Sequence, residues 1–340
     1  MHSKLLERLS KRTGFRRSRF ARLIHTFLGL ALMAMVCTSG TAWGQFKLDD
    51  DQGDLRLGKE DISRYRIGVE VTAESGACRG LYATLPVPQD WPEQTVRVVE
   101  EDITPQVRRV QYRVLDGAVK QMIVEIPLLR SGQEARAAIT LEITRREVLP
   151  PAETSQLRIP ESLDREMNIY LGPSPYIESR DSRIRRLARE VAATKDDAWG
   201  QVEAIYDYVR ENVKYTNGPL KGARRALRDG EGDCEELSSL FIAMCRANGI
   251  PARTVWVPGH CYPEFYLVNE QGQGTWFPCQ AAGDRAFGAM PETRPILQKG
   301  DNFEVPEKPN ERLRYVSEFL RGTPVPGGGK PSVKWIRELL

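Results

Sequence analysis

Three side chains in this chain have the types and spacing for nucleophilic chemistry at a carbonyl. Cys234 stands in Gly232-Asp233-Cys234-Glu235-Glu236, His260 is the only histidine after His25, and Gln280 closes Trp276-Phe277-Pro278-Cys279-Gln280. A thiol becomes a strong nucleophile once it is deprotonated, an imidazole can hold and return its proton, and a side-chain amide can orient the ring. The catalytic expectation is Cys234, His260 and Gln280 acting together.

The elements around them must supply that arrangement. Asp233 and Glu236 form a D-x-x-E capping box ahead of Leu237, Leu240, Phe241, Met244 and Cys245 at helical spacing. Asn248-Gly249 provides a left-handed stop and Pro251 prevents continuation. Cys234 is therefore expected at the first helical position, where unpaired N–H groups and the helix dipole favour a thiolate. Three strands follow, Ala252 to Val257, His260 to Val268 and Gly274 to Gln280, with Asn269-Glu270-Gln271-Gly272 as the turn between the last two. Centring that hairpin on Glu270 sets His260 opposite Gln280. Glu264 falls on the same face as His260 but about 13 Å further along, so a structural or substrate-edge role is expected for it.

The ordered run G-x-C at 232–234, C-R-A-N-G-I-P-A-R at 245–253, H-C-Y-P-E-F-Y-L at 260–267 and T-W-F-P at 275–278 resembles the core of the transglutaminase-like superfamily, from about Ile184 to Gln280. The resemblance implies a papain-like site in which Cys234 is the nucleophile, His260 the base, and Gln280 stands where the family usually has Asp. It implies an enzyme that cleaves or transfers amide bonds of a protein or peptide through a Cys234 thioester, as hydrolase or acyltransferase. The alternative is a catalytically silent binding or assembly module on the same fold.

The amino terminus reads as an address. Eight basic residues (Lys4, Arg8, Lys11, Arg12, Arg16, Arg17, Arg19, Arg22) precede the apolar run Phe27 to Val36, and Ala42-Trp43-Gly44 offers a cleavage site before Gln45. The apolar run is short for a membrane span, and Cys37 lacks a small residue before it, against a lipid anchor. The expected location is periplasmic or extracellular. Beyond residue 44 the chain carries 41 basic against 45 acidic side chains, a net −4. That leaves no electrostatic case for nucleic acid, and no later segment is long enough to cross a membrane. The arginines of 183–186 and 224–225 read as solvated helix faces.

The expected fold class is α+β, a transglutaminase-like core of helices and antiparallel sheet preceded by an antiparallel β-sandwich-like domain. The expected division is signal peptide 1–44, β-rich domain 45–150, linker 151–180, transglutaminase-like domain 181–282 and tail 283–340. In the β-rich part Tyr65 to Val71, Val96 to Val98, Val107 to Leu115, Val119 to Ile126 and Ala135 to Thr144 have strand patterning, with Asp116-Gly117 as a hairpin turn. Pro86-Val87-Pro88 and Trp91 are expected to pack on their own sheet. Ile169-Tyr170-Leu171 should dock on an apolar surface. Two helices follow, with stripes Ile184, Leu187, Ala188, Val191 and Val202, Ile205, Tyr206, Val209, Val213. In the tail a short helix is expected at Glu311 to Leu320 and flexibility at Gly327-Gly328-Gly329.

Five cysteines remain beyond the leader: Cys78, Cys234, Cys245, Cys261 and Cys279. The expected register makes Cys261 and Cys279 cross-strand neighbours, as a disulfide or as two buried thiols. Cys234, His260, Cys261 and Cys279 lack the close C-x-x-C pairs of a structural zinc site, so neither metal nor cofactor is expected.

Overall fold

Between residues 55 and 150, alternating apolar and polar residues make strands of most of the chain. The structure is a computed structural model describing residues 55–340; the expected leader, the expected cleavage site before Gln45 and Cys37 lie outside the described residues. Six strands come first: β1 (Arg56–Thr72), β2 (Cys78–Val87), β3 (Gln94–Ile103), β4 (Arg109–Leu115), β5 (Val119–Leu129) and β6 (Glu134–Leu149). Then follow α1 (Arg165–Asn168), α2 (Ser182–Ala192), α3 (Ala198–Asn212), β7 (Lys214–Tyr215), α4 (Ala223–Asp229), β8 (Glu231–Gly232) and α5 (Cys234–Ala247). The remaining strands are β9 (Ala252–Val257), β10 (His260–Val268), β11 (Gly274–Pro278), β12 (Gln298–Lys299), β13 (Phe303–Val305), β14 (Lys308–Leu313), β15 (Phe319–Pro324) and β16 (Ser332–Leu339).

Two antiparallel sheets, ordered β16-β1-β6-β3 and β15-β2-β5-β4, form a sandwich. Tyr65, Ile67, Val69 and Val71 of β1 meet Leu81, Ala83, Leu85 and Val87 of β2 in its core, with Met122, Val124, Ile139 and Leu141. Asp116 and Gly117, both at positive φ, make the β4–β5 turn as expected. Strand β2 was not foreseen. Its Pro86 pairs opposite Gln121, and Val87 is buried. Trp91 likewise packs within the protein, with the Lys299 ammonium 5.1 Å from its ring centroid.

The tail corrects the sequence expectation. Glu311 to Leu320 is not a helix: it contains the end of β14 and the start of β15. Phe319 pairs with Thr84, and β16 runs along β1 from Tyr65↔Leu339 to Thr72↔Ser332, so each sandwich sheet takes an edge strand from the tail. Pairing with β13 at one end, Phe303↔Leu313, and at the other with β2, more than two hundred residues away in the chain, outweighs the local helical pattern. Nor are the glycines a loose spacer. A Cβ on Gly76 would come 2.5 Å from the Gly328 Cα, and the Cys78 thiol donates to the Gly329 carbonyl at 3.2 Å.

The third sheet, β11-β10-β9-β12, is antiparallel, and α5 lies against one face of it. Phe265, Leu267 and Phe277 from the sheet, Leu240, Phe241 and Met244 from α5, and Val202, Ile205, Tyr206 and Val209 from α3 share one core with Ile184 and Ala188 of α2. Full burial of such side chains contributes roughly 1.5–3 kcal/mol each. On the opposite face Val255, Val257 and Tyr262 meet Val148 of β6, Met290 and Ile296. Tyr170 is buried and stands edge-on to Trp276, with ring centroids 5.3 Å apart, whereas Ile169 is exposed.

Candidate active site

Helix α5 starts at Cys234 because Asp233 caps it. The Asp233 carboxylate accepts from the Glu235 N–H at 2.8 Å, and Glu236 accepts from the Asp233 N–H at 3.2 Å, closing the capping box. The other Glu236 oxygen accepts from the Lys221 N–H at 2.6 Å and the Gly222 N–H at 3.3 Å, joining the start of α4 to the cysteine turn. This buried carboxylate explains the glycine two residues before Cys234. A Cβ on Gly232 would lie 2.3 Å from the Glu236 Cβ.

His260 opens β10, and its Nε2 is 2.9 Å from Gln280 Oε1. The hairpin register differs from expectation. Val268 pairs with Gly274 and Glu264 with Pro278, so the turn is centred on Gln271, where Asn269 accepts from the N–H groups of Gln271 at 3.1 Å and Gln273 at 3.0 Å. Extended beyond its last pair, this register sets Gln280 opposite Tyr262, and the contact to His260 is diagonal. The displacement is two residues, so every side chain keeps its face. A glutamine is long enough to bridge the diagonal.

The same displacement separates the two cysteines expected as neighbours. The Cys279 N–H bonds the Pro263 carbonyl at 2.9 Å, and all five described cysteines are free thiols. Cys279 packs in the core with Phe265 and Phe277. Cys261 goes to the site instead: its Sγ lies 3.9 Å from Ser238 Oγ, one turn along α5 from Cys234. From there its side chain and its backbone N–H both favour the Cys234 thiolate.

These contacts set the electrostatics. Hydrogen bonding from the Cys261 side chain is the largest influence on the Cys234 thiol; burial opposes it, His260 adds to it, and the pKa falls to about 4. For His260 burial acts downward, but hydrogen bonds to Cys234 and Gln280 outweigh it and raise the ring above 6.5. With Nε2 committed to Gln280, Nδ1 is left to face the sulfur. Between the two pKa values the pair is thiolate and imidazolium.

Sequence reasoning missed the residues that hold Gln280. Its carbonyl accepts from Tyr206 Oη at 2.8 Å and Arg210 Nη1 at 2.9 Å. Tyr206 Oη accepts in turn from the Ala286 N–H at 3.1 Å, and Arg210 Nη2 donates to the Gly283 carbonyl at 2.8 Å. Arg285 pairs with Glu203 at 2.7 Å and Asp207 at 3.1 Å, so α3 clamps the whole 280–286 loop. Burial pushes the Tyr206 phenol up to about 12, which keeps it a donor. The available signal was Arg210 four residues after Tyr206, a cation on the edge of an apolar stripe.

Other groups border the site. Tyr215, paired with Gly232 and 52 % exposed, donates to Asn217 Oδ1 at 3.2 Å. Arg294 is held by Glu292 at 2.5 Å and by the Pro258 carbonyl at 2.8 Å. The tail also reaches this region, with Arg314 in an ion pair with Glu235 and 5.1 Å from the Trp256 ring centroid. Glu264 is buried between Arg253 and Lys299, the latter at 2.9 Å, an ion-paired setting away from Cys234.

Residues 185–281 match the profile of the transglutaminase-like superfamily. The match covers this segment of the chain and is similar in extent to the core expected from the motifs. Among solved structures, a protein from Cytophaga hutchinsonii described as a "Putative Cysteine Protease" is similar at 17% identity and a TM-score of 0.52, over 83% of this chain and 92% of that one. That likeness is one of fold, and it extends beyond the transglutaminase-like core to most of the chain. The periplasmic domain of TgpA from Pseudomonas aeruginosa, solved bound to ethylmercury, aligns at 16% identity over 66% of this chain and 90% of that one, with a TM-score of 0.31. No curated protein matches the chain. Among the described residues, no helix is long and apolar enough to cross a membrane.

Proposed function

We propose that this protein is an exported cysteine enzyme that cleaves or transfers amide bonds of a protein or peptide. The observation carrying the reading is the connected set Cys234–His260–Gln280 at the start of a capped helix, with Nε2 of the ring 2.9 Å from the glutamine oxygen. The Cys234 thiolate attacks the substrate carbonyl carbon. The first turn of α5 provides no internal acceptor for the Cys234 N–H, which is thereby available to the developing oxyanion. His260 gives its proton to the leaving amine as the C–N bond breaks, leaving a Cys234 thioester. Water or a second amine then loses a proton to His260 and attacks the thioester, releasing acid or new amide and restoring the thiolate. Gln280 holds the ring by accepting from Nε2–H, the role an asparagine has in papain-like sites. The basic leader of the sequence supports export.

The test is release or exchange of a peptide amide by the protein and by Cys234→Ala, paired with the pH dependence of iodoacetamide labelling at Cys234. Activity at least about a hundredfold above Cys234→Ala is expected, in the range for losing the attacking group. If the two proteins are equal on every peptide and amine pair, the transglutaminase-like core serves as a binding module.

A further inference from the structure

We infer that Cys234 and Cys261 are a peroxide-responsive thiol pair, in which a hydroperoxide oxidises Cys234 and Cys261 captures the product as a disulfide. The inference rests on the placement of the Cys261 sulfur against the α5 face that Cys234 begins, whether or not the site turns over amides.

Three observations carry it. The Cys261 sulfur lies 3.9 Å from Ser238 Oγ, one turn along the α5 face that Cys234 begins, and each of the two thiols acts on the ionisation of the other. The two thiols differ in access: Cys234 is half-buried, whereas Cys261 is 2% exposed. An oxidant therefore reaches one and not the other. The amide chemistry proposed above moves no bond at the Cys261 sulfur, so a second thiol at that position has no part in bond making or breaking.

The chemistry closes on itself. The Cys234 thiolate attacks one oxygen of the hydroperoxide, the O–O bond breaks, and the products are Cys234 sulfenic acid and hydroxide or alkoxide. The Cys261 sulfur then attacks the sulfenic sulfur; the S–S bond forms, the S–O bond breaks, and water leaves carrying the Cys261 proton. Two thiols are oxidised and one peroxide is reduced. In the resting state the anionic Cys234 opposes ionisation of Cys261. Conversion of Cys234 to the neutral sulfenic acid removes that charge, so Cys261 becomes a better nucleophile when it is needed. A disulfide stops oxidation short of the irreversible sulfinic state and remains reducible by a dithiol.

The purified protein is treated with a small excess of hydrogen peroxide, blocked with iodoacetamide, digested without reduction and mapped by mass spectrometry. A Cys234–Cys261 cross-link is expected, reversed by dithiothreitol with return of Cys234 labelling and suppressed when dimedone is present to trap the sulfenic acid. In Cys261→Ser, sulfinic and sulfonic acid at Cys234 should increase roughly tenfold, as the capture step is lost. Cys279→Ser should behave as the unaltered protein. The wild-type map decides even if Cys261→Ser fails to fold: direct over-oxidation of Cys234 without a cross-link, or a cross-link to another cysteine, overturns the inference.

Discussion

Gln280 carries no charge, and that separates two contributions to the proposed chemistry. If it only orients the ring, Gln280→Ala should lower amide turnover by about a hundredfold, as expected for losing a positioned hydrogen bond beside the reacting group. Gln280→Glu keeps the reach and adds a negative charge, which stabilises the imidazolium. The pH profile makes the sign explicit. Cys234 has a pKa of about 4, so turnover should rise through that region as the thiolate forms. His260 lies above 6.5, so turnover should fall at higher pH as the proton donor is lost. Gln280→Glu should move that upper limb upward and leave it active. Iodoacetamide needs no proton donor, so labelling should reach a plateau instead of falling. A labelling rate that first rises near pH 9 would show that Cys234 is an ordinary thiol.

At the scale of elements, two supports position the site from opposite sides. On the α5 side, Gly232→Ala drives a methyl into the Glu236 side chain and disrupts the capping box. Labelling of Cys234 should slow by about an order of magnitude, because the pairing with His260 that favours the thiolate depends on the placement of that turn. A rate equal to wild type at every pH would show the turn to be tolerant. On the loop side, Tyr206→Phe removes the hydroxyl that joins the Gln280 carbonyl to the Ala286 N–H. The expected cost is about 1–2 kcal/mol by urea denaturation. Arg210 still holds the Gln280 carbonyl, so turnover should fall only roughly tenfold, less than in Gln280→Ala. If Tyr206→Phe lowers stability and leaves turnover unchanged, the clamp serves the fold alone.

Across the molecule, buried charge ties distant segments together. Arg246, at the end of α5, is fully buried and its Nη2 donates to both carboxylate oxygens of Asp301 at 2.8 and 2.9 Å, while Ser174 donates to the same carboxylate at 2.6 Å. Lys299 meets Glu93 at 2.8 Å and Glu264 at 2.9 Å. Arg145 of β6 donates to the Glu93 carbonyl at 3.1 Å and the Glu292 carbonyl at 3.1 Å. The segment after Gln280 thus supplies counter-ions for two groups that the family resemblance placed in the transglutaminase-like core, Asp301 for Arg246 and Lys299 for Glu264. Breaking such a pair leaves a charge without its partner and costs about 3–5 kcal/mol. Asp301→Ala should fall at the lower end, because Arg246 keeps the Ala252 and Gly172 carbonyls. A shift in the urea midpoint worth less than about 1 kcal/mol would place the pair among weak surface bridges.

The sequence by itself determined what rests on local chemistry. The capping box at Asp233, the start of α5 at Cys234, the stripes of α2 and α3, and the Asp116-Gly117 turn follow from neighbours within a few residues, and all are found. The strand face shared by His260 and Gln280 was also legible, because a period of two survives a two-residue change of register. Tertiary structure decided whatever depended on distant pairing. The hairpin register goes with the Asn269 side-chain bonds in the turn, and it moved Cys279 two residues along from Cys261, which lies instead against Ser238 of α5. The grip of Tyr206 and Arg210 on Gln280 spans about seventy residues, beyond any helical or strand period. The fate of the tail was the least legible, because β15 and β16 have little local strand signal and are held as edges by the backbone N–H and C=O groups of β2 and β1.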